Sequence, residues 1–239
     1  QASKVKWVQS SFAGIDALVG ENLPQNYILT NVKNTYGKPM AEYVFAYILG
    51  LKRKIFENRN WQSQHYWNAF EYDVIENRNI GIIGTGSIGK EIAHIAKAFG
   101  MNTRGMNTNG RSVEFFDEVF TNHNQSEFFI GLEYVVSVLP STPGTKHFFN
   151  AQTFENMSPD SWFINIGRGK IVCETALIQA IETQKIAGAV LDVFEEEPLS
   201  KSSPLWDMEN VYITPHVSGY VTTDMALQIF SDNYQKFCI

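Results

Sequence analysis

The chain has 239 residues, of which 44% are hydrophobic and 18% charged, and its net charge is −6 with a pI near 5.4. This composition is typical of a soluble globular protein, and the acidic balance, with no basic run beyond residues 52–54, argues against nucleic acid and membranes as partners. The two cysteines, Cys173 and Cys238, show neither metal-ligand spacing nor a disulfide framework, which indicates no metal site and a cytoplasmic location.

The first segment of the chain predicts two short strands. Lys4–Ser10 and Tyr27–Asn31 have strand-like composition, and Ile15–Val19 has the pattern of the first turns of a helix. These elements are too few to close a domain of their own. The opening strand therefore pairs either with a segment before Gln1 or with another part of the chain.

A strongly apolar helix is predicted next. Pro39 suits the first turn of a helix that continues to about Lys54, and apolar residues cover nearly its whole circumference. Such a helix is buried on more than one side, either in a subunit interface or between two domains of one chain. Residues 58–78 then carry three clusters of tryptophan or tyrosine among polar residues, and we interpret them as an irregular connection on the domain surface.

The stretch N-I-G-I-I-G-T-G-S-I-G at Asn79–Gly89 has the pattern of a strand, a glycine turn and a helix. Its isoleucines predict a strand buried on both faces, and a helical pattern begins at Ser87. Gly84 permits a tight turn, Gly86 leaves room for a pyrophosphate, and Gly89 allows close packing of helix on strand. Because a strand precedes and a helix follows, this spacing predicts a dinucleotide site rather than an ordinary turn with surplus glycine.

Strands alternate with short helices beyond the glycine turn. Strands are predicted at Asn102–Met106, Tyr134–Leu139, Trp162–Ile166, Ala187–Val193 and Val211–Ile213. Helices are predicted at Val113–Phe120, Ala151–Met157 and Glu174–Thr183. This alternation predicts an α/β fold with a doubly wound parallel sheet, in which ligands bind beyond the carboxyl ends of the strands.

Four chemically active residues come just after predicted strands, namely Arg168, Asp192, Glu197 and His216. An arginine grips a planar carboxylate with two parallel hydrogen bonds. A histidine is the usual proton donor near neutral pH, and a neighbouring carboxylate fixes its tautomer. Each residue also has a structural interpretation, as an ion-pair arginine, a solvated glutamate or a core histidine. Their shared position at successive strand ends favours one common site.

Several short motifs resemble, in the same order, those of the D-isomer-specific 2-hydroxyacid dehydrogenase family, which includes phosphoglycerate dehydrogenases and glyoxylate/hydroxypyruvate reductases. The matching stretches are Ala41–Tyr43, Gly84–Gly89, Leu139–Thr145, Asn165–Gly169, Leu191–Leu199 and Pro215–His216. The resemblance implies a Rossmann dinucleotide-binding domain at residues 38–216. It implies part of a flavodoxin-like substrate domain at residues 1–37, with a returning helix at 217–239. It also implies that some tens of residues of that domain precede Gln1.

The resemblance further implies roles for individual residues. Arg168 holds and polarises the 2-keto acid, His216 is the general acid/base, and Glu197 pairs with that histidine. Backbone amides near Ala13 and Gly14 bind the substrate carboxylate. The residues implied in cofactor binding are Gly84, Thr85, Gly86, Ser87, Ile88, Gly89, Asn107, Thr108, Arg111, Leu139, Pro140, Thr145, Ile166, Gly167, Asp192, Ser218 and Gly219.

One departure from the family bears on the choice of cofactor. The family's acidic ribose clamp is expected at the end of the second strand, near Asn107, where this chain reads M-N-T-N-G-R. Thr108, Asn109 and Arg111 can instead receive a 2′-phosphate. The cofactor is therefore NAD or NADP, with NADP favoured, unless Arg111 is only a solvated residue at a helix start. By the same resemblance, Asp192 contacts the nicotinamide side.

The resemblance implies an oxidoreductase that transfers a hydride between NAD(P)H and a small 2-keto acid or D-2-hydroxy acid of the glyoxylate or hydroxypyruvate type. Its expected partners are that small molecule and a second copy of the chain in a homodimer. The alternative is a catalytically silent protein that senses NAD(P)H on the same scaffold. Tight binding of NAD(P)H without turnover of any keto acid distinguishes this alternative from the enzyme.

Overall fold

A computed structural model of the chain describes residues 4–11, 14–15, 18–19, 26–32 and 35–238. The chain divides into two compact units, residues 1–36 with 219–239 and residues 37–218. None of the helices in the described part of the chain has the length and apolar character needed to cross a membrane.

The strands and helices of the described residues follow one another in this order: β1 (Trp7–Gln9), β2 (Ile28–Thr30), α1 (Gly37–Lys52), α2 (Ile55–Ser63), β3 (Asn79–Ile83), α3 (Ser87–Ala98), β4 (Asn102–Met106), β5 (Glu118–Phe120), α4 (Gln125–Phe129), β6 (Tyr134–Ser137), α5 (Ala151–Glu155), β7 (Trp162–Asn165), α6 (Glu174–Glu182), β8 (Gly188–Leu191), β9 (Val211–Ile213) and α7 (Thr223–Cys238).

The first unit contains β1, β2 and α7. The two strands pair in parallel, and the Trp7 ring of β1 packs on α7, where its centroid lies 5.3 Å from that of Phe230 and 5.4 Å from that of Phe237. The Asn233 side chain of α7 donates to Gln9 Oε1 at 2.8 Å. Residues 16–17 lie outside the described residues, so the helix predicted at Ile15–Val19 stays a prediction.

The second unit is built on a parallel sheet, in which seven strands of the described chain have the order β5-β4-β3-β6-β7-β8-β9. The strands predicted in this unit begin and end within two residues of the observed strands, and so do the predicted helices that correspond to α1, α3, α5 and α6. The predicted doubly wound α/β fold is therefore confirmed. The strand order reverses between β3 and β6, which is where such sheets open a crevice for a ligand.

The core of this unit explains the strand composition. Ile80, Ile82 and Ile83 of β3 are at most 1% exposed, as expected for a strand covered on both faces. Gly81 lies between them because Leu132 and Phe128, which come from α4 and the turn after it, occupy the space that a Cβ would need. On the other side of the order reversal, a cluster of buried phenylalanines joins β7 to α5.

The large buried side chains of helix α1 lie along one broad face of the helix. Met40, Ala41, Val44, Phe45 and Ile48 are all at most 7% exposed. The Phe45 ring stacks on that of Phe99, at the end of α3, with a centroid distance of 5.2 Å. Much of the apolar surface predicted for this helix is therefore used inside its own unit.

The helix predicted at Val113–Phe120 is wrong, because the end of this segment forms strand β5 beside β4. Asp117 causes the difference. Its carboxylate accepts hydrogen bonds from the backbone N–H of Thr103 at 2.8 Å and from Lys97 Nζ at 2.8 Å. These contacts hold the segment against β4, and Phe115 adopts a φ of 71°, which no helix continues.

The interpretation of residues 58–78 as an irregular connection is wrong for its first part. Helix α2 extends to Ser63, and none of its residues is buried. It begins after Lys54, whose φ of 52° ends the preceding helical segment. Because α2 has no buried residue, its sequence lacks the apolar periodicity by which a helix is recognised.

Candidate active site

The glycine turn after β3 has the geometry that its spacing predicts. Gly84 has a φ of +104°, which side chains other than glycine rarely adopt. Gly86 precedes α3, and a Cβ added there would meet no atom within 4 Å. A Cβ on Gly89, by contrast, would overlap the carbonyl oxygen of Gly84. Ser87 and Ile88 form the first turn of α3, whose N–H groups lack helical partners and suit an anion beside Gly86.

Asn107, at the end of β4, organises the loop that follows it. Its Oδ1 accepts hydrogen bonds from the backbone N–H groups of Asn109 and Gly110, at 3.2 and 2.7 Å. Its Nδ2 donates to Thr85 Oγ1 and to the carbonyl oxygen of Arg111, both at 3.0 Å. The side chain therefore ties the glycine turn to the end of β4.

The loop at 107–111 presents polar and basic groups without a carboxylate. Thr108 and Arg111 are exposed, as is Asn109 between them. The nearest acidic residue along the chain, Glu114, is paired with Lys90 at 2.5 Å. The loop itself therefore carries one basic side chain, Arg111, and no acidic one.

The loops after β6 and β7 touch at Gly167. A Cβ on Gly167 would lie 2.7 Å from the carbonyl oxygen of Leu139, and Ile166 beside it is 2% exposed. In the first of these loops, the Thr145 hydroxyl donates to the carbonyl oxygen of Pro140 at 2.6 Å. That hydroxyl therefore shapes its own loop, and its predicted contact with a cofactor stays a prediction.

Arg168 lies in the loop after β7 and is half-buried. Its Nη1 donates to the carbonyl oxygen of Gly167 at 2.8 Å, while Asn165 donates to the Arg168 carbonyl at 3.2 Å. The next residue, Gly169, lies so close to the backbone of Phe194 that a Cβ would overlap it. The arginine loop therefore packs on the loop that follows β8.

Glu197 and His216 form a hydrogen-bonded pair. The distance from His216 Nδ1 to Glu197 Oε2 is 2.8 Å, and the side chains are 50% and 37% exposed respectively. The other carboxylate oxygen of Glu197 accepts the N–H of Phe194 at 3.1 Å. With Nδ1 engaged by the carboxylate, Nε2 is the ring nitrogen left to exchange a proton with a ligand.

Asp192, at the end of β8, is completely buried. Its Oδ1 accepts hydrogen bonds from the Thr214 hydroxyl at 2.5 Å and from the N–H of Val217 at 2.8 Å, and its Oδ2 accepts the N–H of Ser218 at 2.9 Å. Its carbonyl oxygen accepts the N–H of His216 at 2.8 Å. Asp192 thus holds the segment that carries His216, and its predicted contact with the nicotinamide stays a prediction.

A second imidazole–carboxylate pair lies next to the first, and sequence reasoning gave it no role. His147 Nε2 is 3.1 Å from Glu195 Oε1, and the N–H of Glu195 donates to Glu174 Oε1 at 2.7 Å. Burial raises the pKa of Glu174, and the charges of Glu195 and Glu196 raise it further. These contacts fix the start of the loop that carries Glu197.

Three predicted site residues are not brought to this site by the described contacts. Ala13 lies outside the described residues, and Gly14 and Gly219 belong to the other unit. Sequence reasoning also gave no role to Tyr43 and Thr214, which contact the Asp192 network. Their position inside the motifs A-E-Y and T-P-H was the only signal for them.

A model of the D-isomer specific 2-hydroxyacid dehydrogenase NAD-binding domain matches residues 45–218 of the chain. Glyoxylate/hydroxypyruvate reductase A of Serratia proteamaculans is 30% identical over 237 residues, which cover 96% of this chain and 76% of that protein.

Solved structures agree with this match. A D-isomer specific 2-hydroxyacid dehydrogenase family protein from Aeromonas salmonicida is 42% identical with a TM-score of 0.95, over 99% of this chain and 76% of that one. The NADPH-dependent glyoxylate/hydroxypyruvate reductase of Sinorhizobium meliloti, solved with NADP and sulfate, is 31% identical with a TM-score of 0.86. That match covers 95% of this chain and 73% of that one.

Proposed function

We propose that this chain, which belongs to the D-isomer specific 2-hydroxyacid dehydrogenase family and is an NAD(P)-dependent oxidoreductase, reduces a small 2-keto acid of the glyoxylate or hydroxypyruvate type to the D-2-hydroxy acid. The observation that carries the proposal is the hydrogen bond of 2.8 Å between His216 and Glu197 at the carboxyl edge of the sheet. The loop of Arg168 packs against the loop of Glu197, which supports a single site.

The residues present fit a dinucleotide. The empty space at Gly86 and the free N–H groups at the start of α3 suit a pyrophosphate. The order reversal between β3 and β6 supplies the crevice beside them. When bound, the nicotinamide supplies the hydride, and the protein supplies position and charge.

Three side chains of the protein have separate roles in the proposed reaction. Arg168 binds the carboxylate and the carbonyl oxygen of the keto acid, and the hydrogen bond from its Nη1 to Gly167 orients the guanidinium. His216 gives the proton on Nε2 to the carbonyl oxygen that becomes the hydroxyl. Glu197 fixes the orientation of the imidazole through Nδ1.

We propose NADP(H) as the preferred cofactor. The exposed Thr108, Asn109 and Arg111 and the absence of a carboxylate at 107–111 support this preference, because an acidic residue there would repel a 2′-phosphate. The bound NADP of the Sinorhizobium relative supports it as well. Arg111→Ala should weaken NADPH binding and leave NADH binding unchanged. Equal effects on both cofactors would contradict the preference.

The direct test is a spectrophotometric screen of glyoxylate, hydroxypyruvate, pyruvate and 2-ketoglutarate with NADPH and NADH in parallel. His216→Ala should lose about 10²-fold or more in kcat on each active keto acid while still binding NADPH. His123→Ala, which removes an exposed imidazole elsewhere, is the matched control. Tight cofactor binding with no oxidation on any of the four acids would favour a silent sensor and reject the enzyme.

We also propose that residues 1–36 and 219–239 form part of a substrate domain. We propose a location in the cytoplasm, where the free Cys173 and Cys238 stay reduced. Finally, we propose that the chain forms a homodimer. Apolar surface near α2 supports the dimer, since Trp67 is 94% exposed and Tyr66 57%. Light scattering should give twice the mass of 27.1 kDa, and Trp67→Ser should shift it toward the monomer.

A further inference from the structure

A chain of side-chain hydrogen bonds leads from helix α1 to the segment that carries His216. The Tyr43 hydroxyl lies 2.7 Å from Thr214 Oγ1, and Thr214 Oγ1 lies 2.5 Å from Asp192 Oδ1. Tyr43 is on α1, Thr214 follows β9, and Asp192 follows β8. These hydrogen bonds therefore join three parts of the protein that are distant in sequence. The proposed reaction does not use them directly.

The direction of the hydrogen bonds follows from the protons available. Asp192 accepts hydrogen bonds from three donors, and one of them is the Thr214 hydroxyl, which gives its single proton to this contact. Tyr43 is then the donor to Thr214. Burial raises the pKa of Tyr43, and the charge of Asp192 raises it further, so the phenol keeps this proton at neutral pH.

The segment that carries His216, at the end of this series of hydrogen bonds, has a strained backbone. His216 has a φ of 56°, in the left-handed region that is costly for a residue with a side chain. Such a conformation persists only where its surroundings determine it. Here the surroundings are the hydrogen bonds from His216, Val217 and Ser218 to Asp192.

We infer that the Tyr43 hydroxyl is a positioning group for His216 and acts through Thr214 and Asp192. The inference rests on the proposed function, in which His216 is the proton donor. Removing the Tyr43 hydroxyl leaves Thr214 Oγ1 without its donor and loosens the oxygen that holds the His216 segment. Proton transfer should suffer, while the pyrophosphate site, whose residues take no part in these hydrogen bonds, should not.

The first experiment measures kcat, KM for the keto acid and Kd for NADPH in Tyr43→Phe and in the pair Thr214→Val and Thr214→Ser. Tyr43→Phe and Thr214→Val should each lower kcat about tenfold with NADPH binding unchanged, as expected for one misplaced hydrogen bond. Thr214→Ser keeps the hydroxyl and should recover most of the turnover that Thr214→Val loses. If Tyr43→Phe does not fold, this threonine pair decides the question.

Tyr134→Phe is the matched control, because Tyr134 is also buried and its pKa is also raised by burial. Tyr134 is the first residue of β6, so it lies at the amino end of its strand, away from the carboxyl ends that carry the site. It should keep the wild-type kcat. The inference is overturned if Tyr43→Phe keeps its kcat or loses no more than Tyr134→Phe. It is also overturned if kcat and NADPH binding fall together with thermal stability, since the hydroxyl would then serve the fold alone.

The second experiment reads the His216 ring directly by ¹⁵N NMR of histidine-labelled protein, with its signals assigned by their loss in His216→Gln. Tyr43→Phe should shift the ring signals of His216 and leave those of His123 in place. Unchanged His216 signals would overturn the inference. Because this measurement needs no turnover, it still decides the role of Tyr43 if the wild-type protein reduces no keto acid and the proposed function fails.

Discussion

We predict that Gly86→Ala weakens cofactor binding and leaves the fold intact. Gly86 has a φ of −72° and a ψ of −165°, which any residue adopts, and an added Cβ meets no atom within 4 Å. Alanine restricts the unfolded chain, which stabilises by about 0.4–1 kcal/mol, but it is a poorer residue before a helix by a similar amount. The free energy of unfolding should therefore stay within about 1 kcal/mol of the wild type.

The same methyl group would occupy the space proposed for the pyrophosphate. Overpacking of this kind costs about 1–3 kcal/mol, and a lost hydrogen bond to a charged group costs about 1.5–3 kcal/mol. A total near 3 kcal/mol corresponds to a Kd for NADPH raised by roughly 100-fold. The effect on binding should thus be far larger than the effect on stability.

NADPH fluorescence titration and urea unfolding of the free protein, in one buffer, measure the two quantities. Wild-type affinity in Gly86→Ala would mean that the pyrophosphate does not pass this glycine. A free protein destabilised by several kcal/mol would mean that the space is not open. Either result refutes the reasoning.

Three further substitutions separate packing from chemistry. Gly89→Ala should lower the free energy of unfolding by roughly 2–3 kcal/mol in urea, because its Cβ would overlap the Gly84 carbonyl; a stable variant would contradict the close packing. Glu197→Gln should lower kcat about tenfold at constant NADPH affinity, since the exposed pair keeps its shape but loses its charge, and an unchanged kcat would reject the role of the carboxylate. Arg168→Lys should raise KM for the keto acid about tenfold or more, because the two-pronged guanidinium is lost. An unchanged KM would identify a structural arginine.

The parts of the fold that could be predicted are those in which local sequence and burial agree. The apolar runs of β3 and β6 are covered on both faces, and the amphipathic α3 follows a glycine turn that admits few conformations. In each of these segments, the hydrophobic pattern indicates the type of element, and the flanking residues indicate where it begins and ends. The dinucleotide turn was predictable for the same reason.

The parts that could not be predicted depend on partners distant in the sequence. The segment at 113–120 is apolar enough for a helix, and only the contacts of Asp117 with Thr103 and Lys97 hold its end as a strand. Helix α4 has only five residues, too few for a helical period. In the site, the sequence showed which residue types follow the strands. It did not show which groups hydrogen-bond to Asp192 and Glu195.

The same arrangement of a polar side chain recurs at three strand ends of the sheet. Asn107 after β4, Asn165 at the end of β7 and Asp192 after β8 each accept backbone N–H groups of a following loop. Short polar side chains satisfy donors that a strand end leaves without partners, and they give the loop its shape. In the proposed function, the groups that meet the ligand are their neighbours Arg168 and His216. Removal of an acceptor should therefore displace its neighbour, so Asn165→Ala should raise KM for the keto acid even though the Arg168 side chain is unchanged.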